Sequence, residues 1–337
     1  MRDFFRLAFI GIFFLLVVVD VRARTELVAS VDAAGATHTY SNGTIKDTVL
    51  RDGACLLTKS GLMTYHQGVF VSSKASGFVS VDDLPGDRLI VYVEDNDDFC
   101  VYDKGRIAKL SSSEPQGYKI AGSLVAYVED NDDFCVYDNG KITKLSSSAP
   151  QRYEVADGMV AYVEDCDDFS VYAEGKVTEL SSDRPKRLKI APGVLAYVDD
   201  WDNFYVFSRG QVTKIDSSAP RRLLVARDIV AFVEDNGDFG VFYDGRVIEL
   251  SSSPPQDIKL AAGMVVYVED NDDFMIFDKG KLTKLSSSVP QQYQLSGGML
   301  AYVEANDDFY VYDNGKTIKL SSSAPQEFVI GHPILKH

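Results

Sequence analysis

Residues 158–180 read GMVAYVEDCDDFSVYAEGKVTEL, and close copies of this stretch recur along most of the chain. Two of its residues, Phe169 and Gly175, keep their places from copy to copy with a step of 35 residues. The recurring phenylalanines are Phe99, Phe134, Phe169, Phe204, Phe239, Phe274 and Phe309. A fixed period of this size indicates one supersecondary unit repeated, each copy too small to bury its own apolar surface. The period therefore predicts the architecture.

Each copy predicts four short β-strands separated by turn residues. In the copy from Gln151 to Pro185, the apolar pattern places them at 153–156, 159–164, 169–172 and 176–180. The second strand is apolar on both faces, as expected for a strand between two neighbouring sheets. The fourth strand mixes charged residues and threonine into its pattern, which is typical of an exposed edge.

The turn before the fourth strand shows how the last two strands pair. In two copies it contains Asn139-Gly140 or Asn314-Gly315 between apolar runs, and Asn-Gly is a strong hairpin signal because both residues accept positive φ. Four antiparallel strands per repeat predict an all-β fold, a β-propeller in which sheets pack face to face around an axis. A β-solenoid is the alternative, but its parallel coils do not usually contain a tight hairpin.

The two ends of the chain are less regular than the middle. Residues 24–82 resemble degenerate copies of the unit, whereas 83–331 hold seven regular copies and the start of another first strand at 327–330. We expect that last strand to pair with the N-terminal strands and close the ring. The sequence thus predicts a single propeller domain over 24–337 with about eight blades, and seven or nine stay open.

The repeat resembles that of the TolB-like β-propeller family. The likeness covers about residues 83–331 and lies in an Ala-Tyr second strand, an aspartate-containing turn, a Val-Tyr third strand and a glycine turn before leucine, all seen in 158–180. The chain departs from the family in its strongly acidic turn and in lacking TolB's separate N-terminal domain. The resemblance implies export and protein binding, and it carries over no catalytic residue.

The N-terminus has the pattern of a secretory signal peptide. Arg2 and Arg6 precede an apolar run over residues 7–19, and small residues stand at Val21 and Ala23 before the expected cleavage point. The run falls short of the roughly 20 residues of a membrane helix, although an uncleaved anchor is the alternative. We therefore expect residues 1–23 to be removed and the mature protein to be secreted or periplasmic.

Charge narrows the choice of partners. The formal net charge is −16, so the protein repels phosphate backbones and anionic lipid surfaces. We expect no nucleic-acid partner, no membrane insertion after cleavage, and a monomer that binds a protein or other extracellular partner.

The four cysteines predict free thiols rather than a disulfide framework. Cys100 and Cys135 hold equivalent places in consecutive copies, and packed sheets about 10 Å apart exceed the reach of a disulfide. Cys166 stands in a turn and Cys55 in the irregular N-terminal part.

Half of the acid in the chain lies in one kind of turn. The turns between second and third strands hold 25 of the 50 acidic residues, and in a propeller they share a face with the loops that lead to the next blade. We call these seven turns, residues 94–98, 129–133, 164–168, 199–203, 234–238, 269–273 and 304–308, the acidic rim.

One hypothesis for the acidic rim is that hard oxygen ligands at alternate positions bind Ca²⁺. The candidate ligands are Asp95, Asp97, Asp98, Asp130, Asp132 and Asp133. The alternative is that Asp and Asn simply form the turn by accepting bonds from backbone N–H groups and serines.

One copy breaks the symmetry of the rim. Trp201 replaces the usual asparagine, and basic residues stand nearby where other copies carry mostly uncharged ones. The predicted partner-binding residues are Trp201, Lys186, Arg187, Arg221 and Arg222. Tryptophan beside arginine is typical of an interaction hot spot. The alternative is a surface whose basic residues only relieve the acidic rim.

No catalytic constellation is visible in the sequence. The four histidines lie outside the regular copies, and no triad, Gly-x-Ser-x-Gly or zinc-protease motif occurs. We therefore expect an exported, non-enzymatic binding propeller with no cofactor other than a possible Ca²⁺. A Ca²⁺-dependent module is the first alternative, and a secreted hydrolase or lyase the second.

Overall fold

The computed structural model describes residues 89–104, 106–328 and 330, and the backbone of further strands between residues 28 and 81. The predicted signal peptide, 1–23, and the side chain of Cys55 lie outside the described residues. The chain divides into two compact units, residues 1–114 and 115–337, so the single domain over 24–337 stays a prediction. Every described element is a β-strand, and no described helix is long and apolar enough to cross a bilayer.

Unit 1 contains three antiparallel sheets. Two are three-stranded, with orders β1-β2-β3 and β4-β5-β6, and the third is four-stranded, with consecutive strands paired from β7 to β10. The strands are β1 (Val28–Val31), β2 (Thr37–Ser41), β3 (Thr44–Asp47), β4 (Cys55–Thr58), β5 (Gly61–His66), β6 (Val69–Ser73), β7 (Ala75–Val81), β8 (Leu89–Glu94), β9 (Phe99–Asp103) and β10 (Arg106–Ser111).

Unit 2 contains six four-stranded antiparallel sheets, each with its strands paired in chain order. The first three are β11 (Gly117–Ala121), β12 (Leu124–Val128), β13 (Phe134–Asp138), β14 (Lys141–Ser146); β15 (Arg152–Ala156), β16 (Met159–Val163), β17 (Phe169–Ala173), β18 (Lys176–Ser181); and β19 (Arg187–Ala191), β20 (Val194–Val198), β21 (Phe204–Ser208), β22 (Gln211–Asp216). The last three are β23 (Arg222–Ala226), β24 (Ile229–Val233), β25 (Phe239–Tyr243), β26 (Arg246–Ser251); β27 (Asp257–Ala261), β28 (Met264–Val268), β29 (Phe274–Asp278), β30 (Lys281–Ser286); and β31 (Gln292–Ser296), β32 (Met299–Val303), β33 (Phe309–Asp313), β34 (Lys316–Ser321).

The seven four-stranded sheets match the seven regular copies, and we call them blades 1 to 7 in chain order. In the copy from Gln151 to Pro185, observed and predicted strands agree within one residue at each end. The predicted count of about eight lies between these seven blades and the nine sheets of either size among the described strands.

Local chemistry explains the hairpin between third and fourth strands. Asn139 and Gly140 have φ of 48° and 86°, the left-handed pair that a tight hairpin requires. The register of β13 with β14 then shifts between Phe134 and Cys135, so that β14 contains a bulge. Both features recur in the later blades, because each copy carries a glycine and a phenylalanine at these places.

Alternation along the second strand forms the core between neighbouring blades. In blade 3, Val160 and Tyr162 pack against blade 2, whereas Met159 and Ala161 pack against blade 4. Successive side chains of a strand point to opposite faces, so a strand that is apolar at every position has both faces covered. This arrangement confirms that the second strand lies between two neighbouring sheets.

In unit 2, the recurring phenylalanine makes an aromatic contact across each interface between consecutive blades. Phe134 of blade 2 meets Tyr162 of blade 3 edge-on, with ring centroids 5.3 Å apart, and Phe274 of blade 6 meets Tyr302 of blade 7 at 5.4 Å. Both phenylalanines are fully buried. Edge-to-face aromatic pairs stabilise by about 0.5–1.5 kcal/mol beyond the area that they bury. The 35-residue step of the phenylalanines is thus the step between interfaces.

The predicted closing strand at 327–330 is not assigned as a strand at residues 327, 328 and 330, and no pairing with the N-terminal strands is seen for them. Instead, Gln294 of β31 donates through Nε2 to the carbonyl of Phe328 at 2.9 Å. The ring of Phe328 also lies 5.0 Å from that of Phe309. In blade 3, Tyr153 makes the equivalent ring contact with Phe134 at 5.0 Å. Phe328 therefore occupies the first-strand place of a further copy without forming a strand.

Candidate functional site

The turns of the acidic rim share one backbone conformation. In blade 3, the amide of Glu164 donates to the carbonyl of Asp168 at 2.9 Å, and the amide of Asp167 donates back to Glu164 at 3.0 Å. Asp167 has φ of 70°, in the left-handed region. In blade 5 this place is taken by Gly237, with φ of 102°. The turn thus selects Asp or Gly here, because few other residues adopt positive φ readily.

The loop between blades lies at the same end of the sheet as the rim turn, as predicted. Gln151 precedes β15 and donates through Nε2 to the carbonyls of Glu164 and Asp165 and to Oδ1 of Asp167, each at 3.0 Å. Gln116, Gln256 and Gln291 hold their own turns in the same manner. One glutamine therefore fastens each of these rim turns to the loop.

Two predicted partner-binding residues replace that glutamine. Lys186 of blade 4 pairs with Oδ1 of Asp202 at 3.0 Å, and Arg221 of blade 5 pairs with Oδ1 of Asp235 at 3.2 Å. Lys186 thus contacts the same turn aspartate that glutamine contacts elsewhere. The positive charges of Lys186 and Arg221 are therefore each paired with a carboxylate in the acidic rim of the same blade.

The other two predicted basic residues reach toward the next blade. Arg187 donates to the carbonyl of Pro220 at 2.5 Å, and Arg222 donates to that of Pro255 at 3.5 Å. Arg187 is half-buried, whereas Arg222 is exposed. Both guanidinium groups therefore join neighbouring blades.

Trp201 differs from these residues because its side chain faces solvent. It is 69% exposed, more than any other large apolar residue of the described chain. The turn beneath it is fixed by the buried Asp199, which accepts bonds from the amides of Trp201 and Asn203 at 2.9 and 2.8 Å. The indole is therefore presented on a rigid turn and is available for contact.

The rim charge is neutralised unevenly around the blades. In four blades a fourth-strand lysine pairs with the last aspartate of the turn, as Lys144 does with Asp133 at 2.7 Å. Blade 3 has Glu179 at the equivalent position and blade 5 has Glu249.

Glu234 shows the consequence of this difference in blade 5. Partial burial, followed by the carboxylates of Asp216, Asp238 and Glu249, raises the pKa of Glu234. By contrast, the Lys109 ammonium beside Asp98 in blade 1 lowers the pKa of that carboxyl. The turn of blade 5 thus lies in an excess of negative charge, next along the chain to the blade that carries Trp201.

The proposed Ca²⁺ ligands are placed on the rim of blades 1 and 2. Asp98 pairs with Lys109 at 2.7 Å, and Asp133 with Lys144 at 2.7 Å. Asp132 accepts from Gln116 at 2.7 Å, whereas Asp95 and Asp130 are exposed. Asp97 has φ of 68°, as the turn requires. Within the described residues no group of three or more His, Cys, Asp or Glu is arranged to hold a metal, and Ca²⁺ binding stays a prediction.

Three cysteines are free, as predicted. Cys100 and Cys135 are buried, and burial raises the pKa of both thiols to about 11. Cys166 is exposed on the rim turn of blade 3, where it contacts Asp168 at 3.0 Å.

Of a basic surface on the first strands, the sequence prediction included only Arg222. Nearly all exposed residues of the six first strands of unit 2 are basic. They are Lys119, Arg152, Lys189, Arg222 and Lys259, with Gln292 the one uncharged member. The sequence shows this pattern when every second copy is aligned, because Lys119, Lys189 and Lys259 follow one another at intervals of 70 residues.

These features together define a β-propeller built from 35-residue blades, with an acidic rim on its loops. A family model described as the 10-bladed beta propeller domain matches residues 77–202 and 186–336. The match covers most of the chain, and the chain belongs to that family. No curated protein matches the sequence.

Several solved structures are similar at low identity. The computationally designed Ika8 protein is 15% identical, with a TM-score of 0.31, covering 87% of this chain and 92% of its own. BamB from Moraxella catarrhalis is 12% identical, with a TM-score of 0.26, covering 76% and 92%. PorZ of Porphyromonas gingivalis is 12% identical, with a TM-score of 0.29, covering 88% and 52%.

Proposed function

We propose that this protein is an exported, non-enzymatic binding module, a monomer that recognises a protein partner through the acidic rim of blades 4 and 5. The observation that carries the proposal is Trp201, an exposed indole on a rigid turn beside an excess of carboxylates. Tryptophan is among the residues enriched at binding hot spots. The resemblance to TolB-like propellers, which implies export and protein binding, supports the same conclusion.

Charge specifies the kind of partner. Lys186 and Arg221 are balanced by Asp202 and Asp235, whereas Glu234 is surrounded by further acids. The partner surface therefore carries basic groups for the rim of blade 5 and an apolar or aromatic group for Trp201. Such complementarity steers association and weakens as salt is added.

A capture experiment with two rim variants tests the proposal. Trp201→Asn restores the residue of most other copies, and Glu249→Lys copies blade 6, where Lys284 pairs with Asp273 at 2.6 Å. We expect each variant to fold normally and to lose the same partner from native extract. Val212→Ala on β22 is the control, because Val212 is also exposed but lies outside the rim turns.

The outcome is read by mass spectrometry of the captured proteins. A protein held by the wild type and Val212→Ala, released by salt and lost from both rim variants, supports the proposal. Equal capture by all four proteins would exclude the blade 4 and 5 rim as the binding surface.

A further inference from the structure

A cavity of about 430 Å³ lies between blades 6 and 7. Asp257 and Lys259 of β27 line one side, and Tyr293 of β31 lines the other. Val289 and Pro290 of the loop between the blades complete the wall. The volume falls within the roughly 300–1,000 Å³ of typical small-ligand sites.

Opposite charges lie on the same side of β27. Asp257 and Lys259 are alternate residues of one strand, so their Cα atoms are about 6.6 Å apart. Both residues are described by the structure, and no ion pair joins their side chains. The cavity therefore presents a carboxylate and an ammonium as separate groups.

Both charged groups keep unused hydrogen-bonding capacity. Asp257 accepts from the Tyr293 hydroxyl at 2.5 Å and from the Ile258 amide at 2.9 Å, which leaves lone pairs on both oxygens. Lys259 donates to the Tyr293 carbonyl at 3.0 Å, and its Nζ lies 3.7 Å from the Tyr293 ring centroid. With one donor on the carbonyl and one side of the ammonium against the ring, at least one N–H donor remains for a ligand.

Among the interfaces inside unit 2, this combination of groups occurs at one. Exposed lysines stand at the same register in blades 2 and 4, as Lys119 and Lys189. The residues equivalent to Asp257 in these two blades are Gly117 and Arg187. Lys119 in blade 2 contacts Tyr153 in the same manner as Lys259 contacts Tyr293, but its ammonium pairs with Glu154 of blade 3 at 3.5 Å, and its own strand carries no acid. The cavity between blades 6 and 7 thus breaks the symmetry of the repeats in its charges.

We propose that this cavity binds a dipeptide or another short zwitterion. Both charged groups contact one side chain, that of Tyr293: Oδ2 of Asp257 lies 2.5 Å from its hydroxyl, and Nζ of Lys259 lies 3.7 Å from its ring centroid. The carboxylate and the ammonium are therefore within reach of the two ends of one extended dipeptide, whose termini are about 6.6–7 Å apart. The ammonium end binds Asp257, and the carboxylate end binds Lys259. Val289, which is 42% exposed, offers an apolar surface to a ligand side chain. This activity goes beyond the proposed rim function, since it uses different residues and a small ligand.

Calorimetric titration with the dipeptide Ala-Leu tests the proposal, with its N-acetylated and C-amidated forms as matched ligands. We expect Ala-Leu to bind the wild-type protein, and each blocked form to bind at least tenfold more weakly, about the effect of one lost charged hydrogen bond. Absence of Ala-Leu binding would overturn the proposal, as would equal binding of all three ligands.

Protein variants locate the binding. Lys259→Gln and Asp257→Asn should each weaken Ala-Leu binding at least about tenfold by the same reasoning. Lys119→Gln, the same change at the same register in blade 2, should leave binding unchanged, and an equal loss there would refute this location. The blocked ligands still decide the question if a variant does not fold. Capture of a protein partner through Trp201 is measured separately, so either proposal can fail without the other.

Discussion

The hydroxyl of Tyr172 in blade 3 donates a 3.2 Å hydrogen bond to Oδ2 of Asp138, the last residue of β13 in blade 2. Tyr312 of blade 7 makes the same bond to Asp278 of blade 6 at 3.1 Å. Three other interfaces lack both the carboxylate and the hydroxyl. There the strands β17, β21 and β25 end in Ala173, Ser208 and Tyr243. In the following blades, the residues that take the place of Tyr172 are Phe207, Phe242 and Phe277. In unit 2, therefore, the hydroxyl occurs only where the preceding blade supplies a carboxylate.

This relationship predicts strong coupling between Tyr312 and Asp278. Asp278 is buried, and Oδ1 has no partner among the described residues, so Tyr312→Phe leaves the whole carboxylate without a side-chain donor. We expect a loss of about 1–3 kcal/mol in the free energy of unfolding. The double variant Asp278→Ala/Tyr312→Phe copies the Ala173 and Phe207 interface, and it should be more stable than the sum of the single changes implies.

Denaturant unfolding of the wild type, both single variants and the double variant measures that coupling. The pair Ser208→Ala and Phe242→Leu offers a control at an interface where these two positions share no hydrogen bond. If the losses at 278 and 312 simply add, the two groups act independently and the covariation has another origin.

The glutamines that fasten the rim give a second prediction. Gln151→Ala removes three hydrogen bonds to one turn, and we expect a loss of about 1 kcal/mol in the free energy of unfolding, since the site is solvent-exposed. Lys186→Gln should change stability by less than about 0.5 kcal/mol, because glutamine serves at this place in other blades. Thermal melting of both variants provides the measurement. A large loss for Lys186→Gln would show that its ion pair with Asp202 contributes more than the glutamine contacts do.

A third prediction concerns Ca²⁺. The carboxylates of Asp132 and Asp133 already accept bonds from Gln116 and Lys144, so a cation would have to displace these donors. We expect added Ca²⁺ to leave the melting temperature unchanged. A rise that a chelator reverses, and that Asp133→Asn abolishes, would instead establish the Ca²⁺ hypothesis.

The sequence predicts the blades well because their information is local and repeated. The Asn139-Gly140 hairpin and the apolar second strand each depend on a few neighbouring residues, and seven copies reinforce one pattern. The rim also follows from the sequence, because Gln151 and its turn belong to the same copy. These features need no knowledge of how distant copies meet.

The sequence does not reveal how charge is distributed between copies. Arg187 and Lys259 contact groups in the following blade, so their partners become visible only when consecutive copies are set side by side. Trp201 is conspicuous in the sequence as the one tryptophan of the chain and an exception to the repeat. Asp257 is an exception of the same kind, but one more acid in an acidic chain does not indicate a site. Departures from the repeat are more informative than overall charge.

The buried tyrosines predict a loss of stability at alkaline pH. Burial raises the pKa of Tyr153 and of Tyr162 to about 12, and burial together with the Asp278 charge raises that of Tyr312 to about 12. The unfolded chain, with tyrosine pKa near 10, loses its protons first, so the folded state is favoured fully below pH about 10 and progressively less between about 10 and 12. Phenolate absorbance followed together with circular dichroism should show these tyrosines ionising as the β-structure is lost. Ionisation of all 18 tyrosines near pH 10 with the sheets intact would contradict the buried environment that the interfaces provide.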